Sequence, residues 1–134
     1  MRSGMRTLAQ WLDFIERQHP KTIALGLDRV RAVWKNMGVA LACPIVRVAG
    51  TNGKGSTCAM LESILRMGGY RTGLYTSPHL VQYNERVRVA GVEASDELLA
   101  ASFEAVEAAR GYTPLTYFEY GTLGALWIFA HEQV

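Results

Sequence analysis

The amino-acid sequence predicts an α/β fold, a mostly parallel sheet flanked by helices and preceded by two further helices. Three observations carry that prediction. The stretch up to Gly38 holds two runs of helical periodicity and no strand pattern. A β-branched run, "PIVRVAG", leads directly into a glycine-rich loop, "TNGKGS". An amphipathic helix pattern then connects that loop to a second β run, "YRTGLYTS", so the order is strand, loop, helix, strand. With 134 residues, 49% of them hydrophobic, the chain suffices for one α/β core and is too short for two ordinary domains.

Taken in order, Leu8, Trp11, Leu12 and Ile15 stand at i, i+3, i+4 and i+7, one apolar face of a helix ending near His19 and Pro20. Val30, Val33, Trp34 and Met37 repeat the spacing, and Gly38 is the expected stop. The run over 44–50, bounded by Pro44 and Gly50, reads as a buried strand. Met60, Leu61, Ile64 and Leu65 share a helix face that Gly68 and Gly69 terminate, and the strand after them completes a βαβ unit with parallel strands and a right-handed crossover. In "ERVRVAGVE", Val87 and Val89 alternate with Arg86 and Arg88, which predicts a half-exposed strand turning at Gly91. Ser95 is placed to cap a helix whose first turn carries Asp96 and Glu97, where their charge complements the dipole, and Gly111 to close it. Thr116 and Glu119 have capping-box spacing ahead of "YGTLGALWIFAHEQ", a helix so apolar that both faces need cover. Val134 falls where an α/β domain would enter its next strand, so residues 1–134 read as the amino-terminal piece of a longer, truncated domain. One face of the last helix is then expected to lie open or to meet another chain.

Composition narrows the functional classes. The 14 basic and 12 acidic residues are scattered and leave a net charge of +2, without the clustered stripe of a nucleic-acid surface. Cys43 and Cys58 form no C-x-x-C and have no paired histidines, so neither a zinc site nor a disulfide framework is read, and reduced thiols in the cytoplasm are expected. The amino terminus, "MRSGMRTLAQWLDF", has no apolar stretch after its arginines, and no run approaches the roughly 20 apolar residues of a membrane span.

The glycine loop has two readings on its residues alone. A strand feeding such a loop and then a helix start offers an anion unobstructed backbone N–H groups, a favourable dipole and, in Lys54, a cation that reaches outer phosphates. Ser56 or Thr57 offers a hydroxyl to magnesium or to a phosphate oxygen. Against G-x-x-x-x-G-K-[ST], Val48 takes the place of the first glycine and Gly55 follows the lysine, displacing the hydroxyl by one. A structural turn with a solvated lysine is the alternative.

The surrounding motifs bear on that choice. "GTNGKGS" at 50–56, "GLYTSPHL" at 73–80, "NERVRV" at 84–89 and "LTYFEYGTLGALWIF" at 115–129 resemble, in order and separation, the folylpolyglutamate synthase and dihydrofolate synthase family. That family's short version of the P-loop is shared in outline with the Mur ligases of peptidoglycan synthesis. The resemblance runs from "KTIALGLDRV" to the end and implies the P-loop-type sheet of an ATP-binding domain, without the carboxy-terminal domain. It implies that Thr51, Asn52, Gly53, Lys54, Gly55 and Ser56 hold ATP, with Lys54 neutralising charge on the transferring phosphoryl group, and that Ser77 is a Mg2+ ligand. Thr116, Tyr117, Phe118 and Glu119 resemble the element lining the pterin side of the dihydropteroate site, and Ala24, Leu25, Gly26 and Leu27 resemble a second substrate-side element.

Each of these has a plainer reading. Thr76, Ser77 and Pro78 make an ordinary turn after a strand. Thr116 and Glu119 cap a helix while Tyr117 and Phe118 pack, and Leu25 and Leu27 belong to a core. His79, Glu85 and Arg86 fall in motifs without an assignable chemistry, and His19 and His131 read as surface residues at helix ends.

The activity the resemblance implies is ATP-dependent amide formation between dihydropteroate or a folate and L-glutamate through an acyl phosphate, by a full-length enzyme acting as a monomer. The family's remaining metal ligands and glutamate site fall beyond Val134, so the piece itself is expected to be inactive and to self-associate. A Mur-type ligase and a non-catalytic nucleotide-binding module are the rival classes.

Overall fold

The structure, a computed structural model, describes residues 5–18 and 27–134. Its helices are α1 (Leu8–Arg17), α2 (Asp28–Met37), α3 (Lys54–Met67), α4 (Asp96–Arg110) and α5 (Tyr117–His131). Its strands are β1 (Gly73–Tyr75), β2 (Val87–Val89) and β3 (Val92–Glu93), with a 3-10 turn at Tyr83–Arg86. These fall into two compact units. The first comprises residues before Leu41 together with Ser95–Ile128, and the second comprises Leu41–Ala94 with Phe129–Val134.

The first unit is helical, and local chemistry starts and stops its helices where the sequence places them. Thr7 Oγ1 accepts the N–H of Gln10 at 3.2 Å while Gln10 Oε1 accepts that of Thr7 at 2.9 Å, a reciprocal cap for α1. Gly38, at φ +67°, closes α2 in the left-handed conformation that an L side chain resists. Ser95 Oγ caps α4 through Leu98 N–H at 3.1 Å. Leu8, Trp11 and Ile15 of α1 and Val33 of α2 are buried, as the helical spacing predicts, and Leu99, Phe103 and Val106 of α4 are buried beside them. Trp11 meets Phe103 with ring centroids 6.5 Å apart.

Gly124 lets α5 approach α4 closely: a Cβ there would stand 3.0 Å from Ser102 Oγ and 3.5 Å from the Phe103 ring. The Tyr120 hydroxyl donates to Glu107 at 3.0 Å. Burial foremost, and then the Glu107 carboxylate, push its phenol above the ordinary range.

One expectation for α5 is corrected here. Across Thr122–Phe129 every residue is buried or half-buried, so the apolar stretch of this helix past its first turn is covered.

The second unit departs from the expected sheet. The chain is a mixed helix-and-sheet protein, yet its paired strands are antiparallel in the order β1-β2-β3, with Gly73 opposite Val89, Tyr75 opposite Val87, and Arg88 opposite Glu93. The β2–β3 turn uses Ala90 at φ +50° and Gly91 at φ +80°, the pair of positive angles that matches strand twist in a two-residue hairpin. Val87 and Val89 are buried and Arg88 less so, the alternation read from the sequence.

The expected first strand is absent: residues 44–50 carry no ladder, and Ile45 and Val46 are 67% and 68% exposed. A parallel strand needs both a hydrogen-bonded neighbour and cover on its faces, and the described residues give this segment neither. The apolar side of α3 shares its condition, with Met60 64% and Ile64 60% exposed. What the unit does fix is the later half of α3, where Arg88 pairs with the buried Glu62 at 3.4 Å, and the approach to β1, where Arg71 pairs with Glu132 at 3.0 Å.

Candidate functional site

The glycine loop opens α3. Gly53 is the residue before the helix, at φ +75°. A Cβ at Gly53 would meet nothing within 4 Å, so glycine is required there by the backbone angle and not by crowding. Lys54 is the first helical residue, and Thr57 N–H donates to Gly53 O at 3.0 Å, the first turn of the ladder. No side chain caps this helix, in contrast to Thr7, Ser95 and Thr116 at the starts of α1, α4 and α5. The early N–H groups and the positive end of the helix dipole therefore lie along an exposed stretch, Thr51 to Thr57, that also carries Lys54. That set of donors fits the outer phosphates of a nucleotide, with the Ser56 hydroxyl on the same first turn.

Ser77 belongs to the same unit, in the loop that follows β1. Thr76 N–H donates to Arg86 O at 2.9 Å, and the Ser77–Pro78 peptide is cis. Beyond it, Arg86 Nε–H donates to His79 Nδ1 at 2.8 Å, and the His79 ring stands 5.7 Å from that of Tyr83. Glu85 Oε1 accepts Leu80 N–H at 2.8 Å, while its Oε2 accepts Val81 and Gln82 N–H at 2.9 and 2.8 Å. These backbone donors, Gln82 first, hold the Glu85 carboxyl below its usual range. The three residues the sequence left without a role thus form the frame of this loop. A signal was present, since Gln82 and Glu85 have capping-box spacing and use it.

The other set of site residues lies in the helical unit. Thr116 and Glu119 form the capping box: Glu119 Oε1 accepts Thr116 N–H at 2.9 Å, and Thr116 Oγ1 accepts Glu119 N–H at 3.1 Å. Arg29, which sequence reasoning missed, grips the same carboxylate from α2 with Nη2 at 3.1 and 2.9 Å from its two oxygens. Both side chains are largely buried. Its only sequence signal was a cation in the first turn of a helix, a place that disfavours positive charge unless a partner faces it. Tyr117 is half-buried and Phe118 is 58% exposed, so Phe118 presents a flat apolar surface at the start of α5. Leu27, just before α2, is also exposed. Ala24, Leu25, Gly26 and His19 lie outside the described residues.

Among the described residues no three His, Cys, Asp or Glu side chains group to hold a metal unaided. A cation here would need phosphate oxygens and water beside a hydroxyl such as that of Ser77, a donor set that suits magnesium. Cys43 and Cys58 are free thiols. No helix of the described residues is long and apolar enough to cross a membrane.

A mixed helix-and-sheet chain in which a glycine loop opens an uncapped helix has the architecture of α/β proteins, and that helix start can receive an anion. No protein-family model matches the chain. It is 56% identical over 128 residues to the dihydrofolate synthase/folylpolyglutamate synthase of Escherichia coli K12, covering 95% of this chain and 30% of that protein. The protein of the same name from Haemophilus influenzae is 46% identical over 128 residues, covering 95% of this chain and 29% of its own.

Among solved structures, E. coli FolC in complex with DHPP and ADP matches with a TM-score of 0.89 and 53% identity, over 98% of this chain and 32% of that one. The Yersinia pestis bifunctional folylpolyglutamate synthase/dihydrofolate synthase complexed with AMPPNP and Mn ion matches with a TM-score of 0.91 and 47% identity, over 98% of this chain and 32% of that one. The chain is homologous to the amino-terminal part of the bacterial bifunctional dihydrofolate synthase/folylpolyglutamate synthases, and it spans about a third of their length.

Proposed function

We propose that this chain is the amino-terminal part of the ATP-binding domain of a cytoplasmic, monomeric ligase that joins L-glutamate to dihydropteroate and to folates. The observation that carries the reading is the uncapped, glycine-opened start of α3, in a chain 56% identical to a dihydrofolate synthase/folylpolyglutamate synthase along nearly all its length. Relatives solved with ADP, AMPPNP, Mn ion, DHPP and L-glutamate support the same ligand classes here. The "TYFE" element and this naming favour a folate over a Mur-type substrate.

A carboxylate resists amine attack because oxide is a poor leaving group. ATP and magnesium supply the remedy when bound: the substrate carboxylate takes the γ-phosphoryl group, releasing ADP, and the glutamate nitrogen then displaces phosphate to leave the amide. This chain's residues contribute position and charge. The N–H groups at Gly53 to Ser56 would seat the β and γ phosphates with Thr51 and Asn52 alongside. Lys54 would neutralise charge gathering on the phosphoryl oxygens, and Ser77 would hold the metal. Phe118 and Tyr117 would lie against the bicyclic ring, with the Thr116–Glu119 box fixing their backbone and Leu27 and its neighbours completing that side.

The isolated chain is then a weak nucleotide binder that does not ligate. Any self-association would use the exposed side of α3, since α5 is covered. The decisive experiment replaces the matching segment of the E. coli relative with residues 1–134 of this chain and assays glutamate incorporation. Ligation by the graft supports the reading; a folded graft that binds ADP yet never incorporates glutamate would overturn it.

A further inference from the structure

We infer that Glu85 and Arg86 are positioning residues for Ser77. The inference rests on Ser77 being the metal ligand proposed above. An exposed loop serves poorly as a ligand carrier, because a hydroxyl on a mobile backbone loses conformational entropy on every binding event. The loop after β1 is held at each of its parts. Its start is fixed by Thr76 N–H on the Arg86 carbonyl at 2.9 Å. Its middle is fixed by Arg86 Nε–H on His79 Nδ1 at 2.8 Å. Its end is fixed by the Glu85 carboxylate, which collects the consecutive N–H groups of Leu80, Val81 and Gln82 at 2.8 to 2.9 Å.

Hydrogen bonds to an ionised acceptor are roughly twice as strong as neutral ones. Three of them on one carboxylate order a segment that packing leaves alone: Leu80 and Val81 are 93% and 81% exposed, so no burial of their side chains explains the fixed backbone. Glu85 and Arg86 are adjacent and belong to the 3-10 turn that runs straight into β2, and β2 pairs with β1. The clamp is therefore anchored to the sheet that precedes Ser77. Neither residue needs to touch a ligand to act.

Amide exchange and Mn2+ titration by nuclear magnetic resonance on the 134-residue chain, with ADP as the nucleotide probe, test this. In the wild-type chain Mn2+ with ADP should broaden the Ser77 amide signal, and the amides of Leu80, Val81 and Gln82 should be protected from exchange. Glu85→Gln keeps the shape but surrenders the charge. It should expose those three amides and raise the Mn2+ needed for half-maximal broadening at Ser77 by about tenfold, the usual loss when an outer support of a metal ligand is removed. Arg86→Lys keeps the charge but loses the fixed Nε–H donor, and should shift the Ser77 response in the same direction with the Leu80–Gln82 amides still protected.

Unbroadened Ser77 in the wild-type chain would remove the metal reading itself. Normal broadening in the wild type that neither variant alters would leave Ser77 a ligand and overturn the role given to Glu85 and Arg86. Because Glu85 lies on the surface, the Gln variant is expected to keep the helical content of the wild type, and Glu85→Asp, too short to span the three donors, serves as an independent check.

Discussion

The helical unit and the sheet unit meet the same requirement, the covering of apolar faces, with opposite success. In the first, α1, α2, α4 and α5 cover one another: Ile15, Val33, Val106, Leu123 and Ile128 are fully buried. In the second, α3 and the Ile45–Val46 segment leave apolar side chains in water. A helix satisfies its own backbone and needs only side-chain neighbours, whereas a strand needs hydrogen-bonding partners as well, and residues 44–50 have none here. The sheet unit nonetheless holds the glycine loop and Ser77, to which phosphate and metal contacts are proposed. The proposed phosphate and metal contacts thus fall in the less covered unit, and the proposed ring contacts in the better covered one.

Changes that separate these roles follow in order of expected size. Lys54→Ala, placed in the grafted enzyme described above, should reduce ligation by about a thousandfold or more, as loss of a charge-neutralising donor does, with the fold unchanged because the residue is exposed. Near-normal turnover in a folded variant would remove Lys54 from the site. Leu123→Ala in the helical unit should cost about 3 kcal/mol of unfolding free energy in urea. The partner change, Ile64→Ala on the open side of α3, should stay within about 0.5 kcal/mol. Equal costs would mean the two units are covered alike.

Phe118→Ala should raise the KM of the graft for dihydropteroate by about tenfold, from a stacking contribution of about 1 kcal/mol and the lost apolar contact, and leave that for ATP nearly unchanged. A matched rise in both would point to packing alone. The smallest effect concerns pH. Glu85 has a folded-state pKa below its unfolded one, so its contribution is present above the ordinary carboxylate range and fades as pH falls through the folded value. Exchange protection at Leu80, Val81 and Gln82 should therefore persist at pH values near the ordinary glutamate pKa of about 4.3 and disappear only below it. Loss of protection well above that value would show that another group governs the loop.

Legibility in the sequence followed the same division. The capping pair Thr116–Glu119, the Ser95 cap, the stop at Gly38, and the buried faces of α1 and α2 were all readable because each depends on residues a few positions apart. The hairpin at Gly91 was readable for the same reason. The parallel strand was not, since pairing is a long-range property that a β-branched run only permits. The cover of α5 was misjudged because an apolar helix shows its need for neighbours but not whether the chain supplies them. Arg29 and Glu119, 90 positions apart, could be joined only by the fold.

That separation bears on the order in which the protein folds. In sequence the segment Leu41–Ala94 of the sheet unit interrupts the helical one, and Arg29–Glu119 and Asn36–Ala109 join residues from either side of that interruption. Closing a loop of that length costs about 4 kcal/mol by the (3/2)RT ln n rule, before any reward from the contact. At about 5–20 residues per second of synthesis, α1 and α2 wait several seconds for α4 and α5 to emerge. Over that interval Trp11, Ile15 and Val33 have no partner from α4 and α5, so the best-covered core among the described residues closes only after the sheet unit has been made and stands open to a chaperone while it waits.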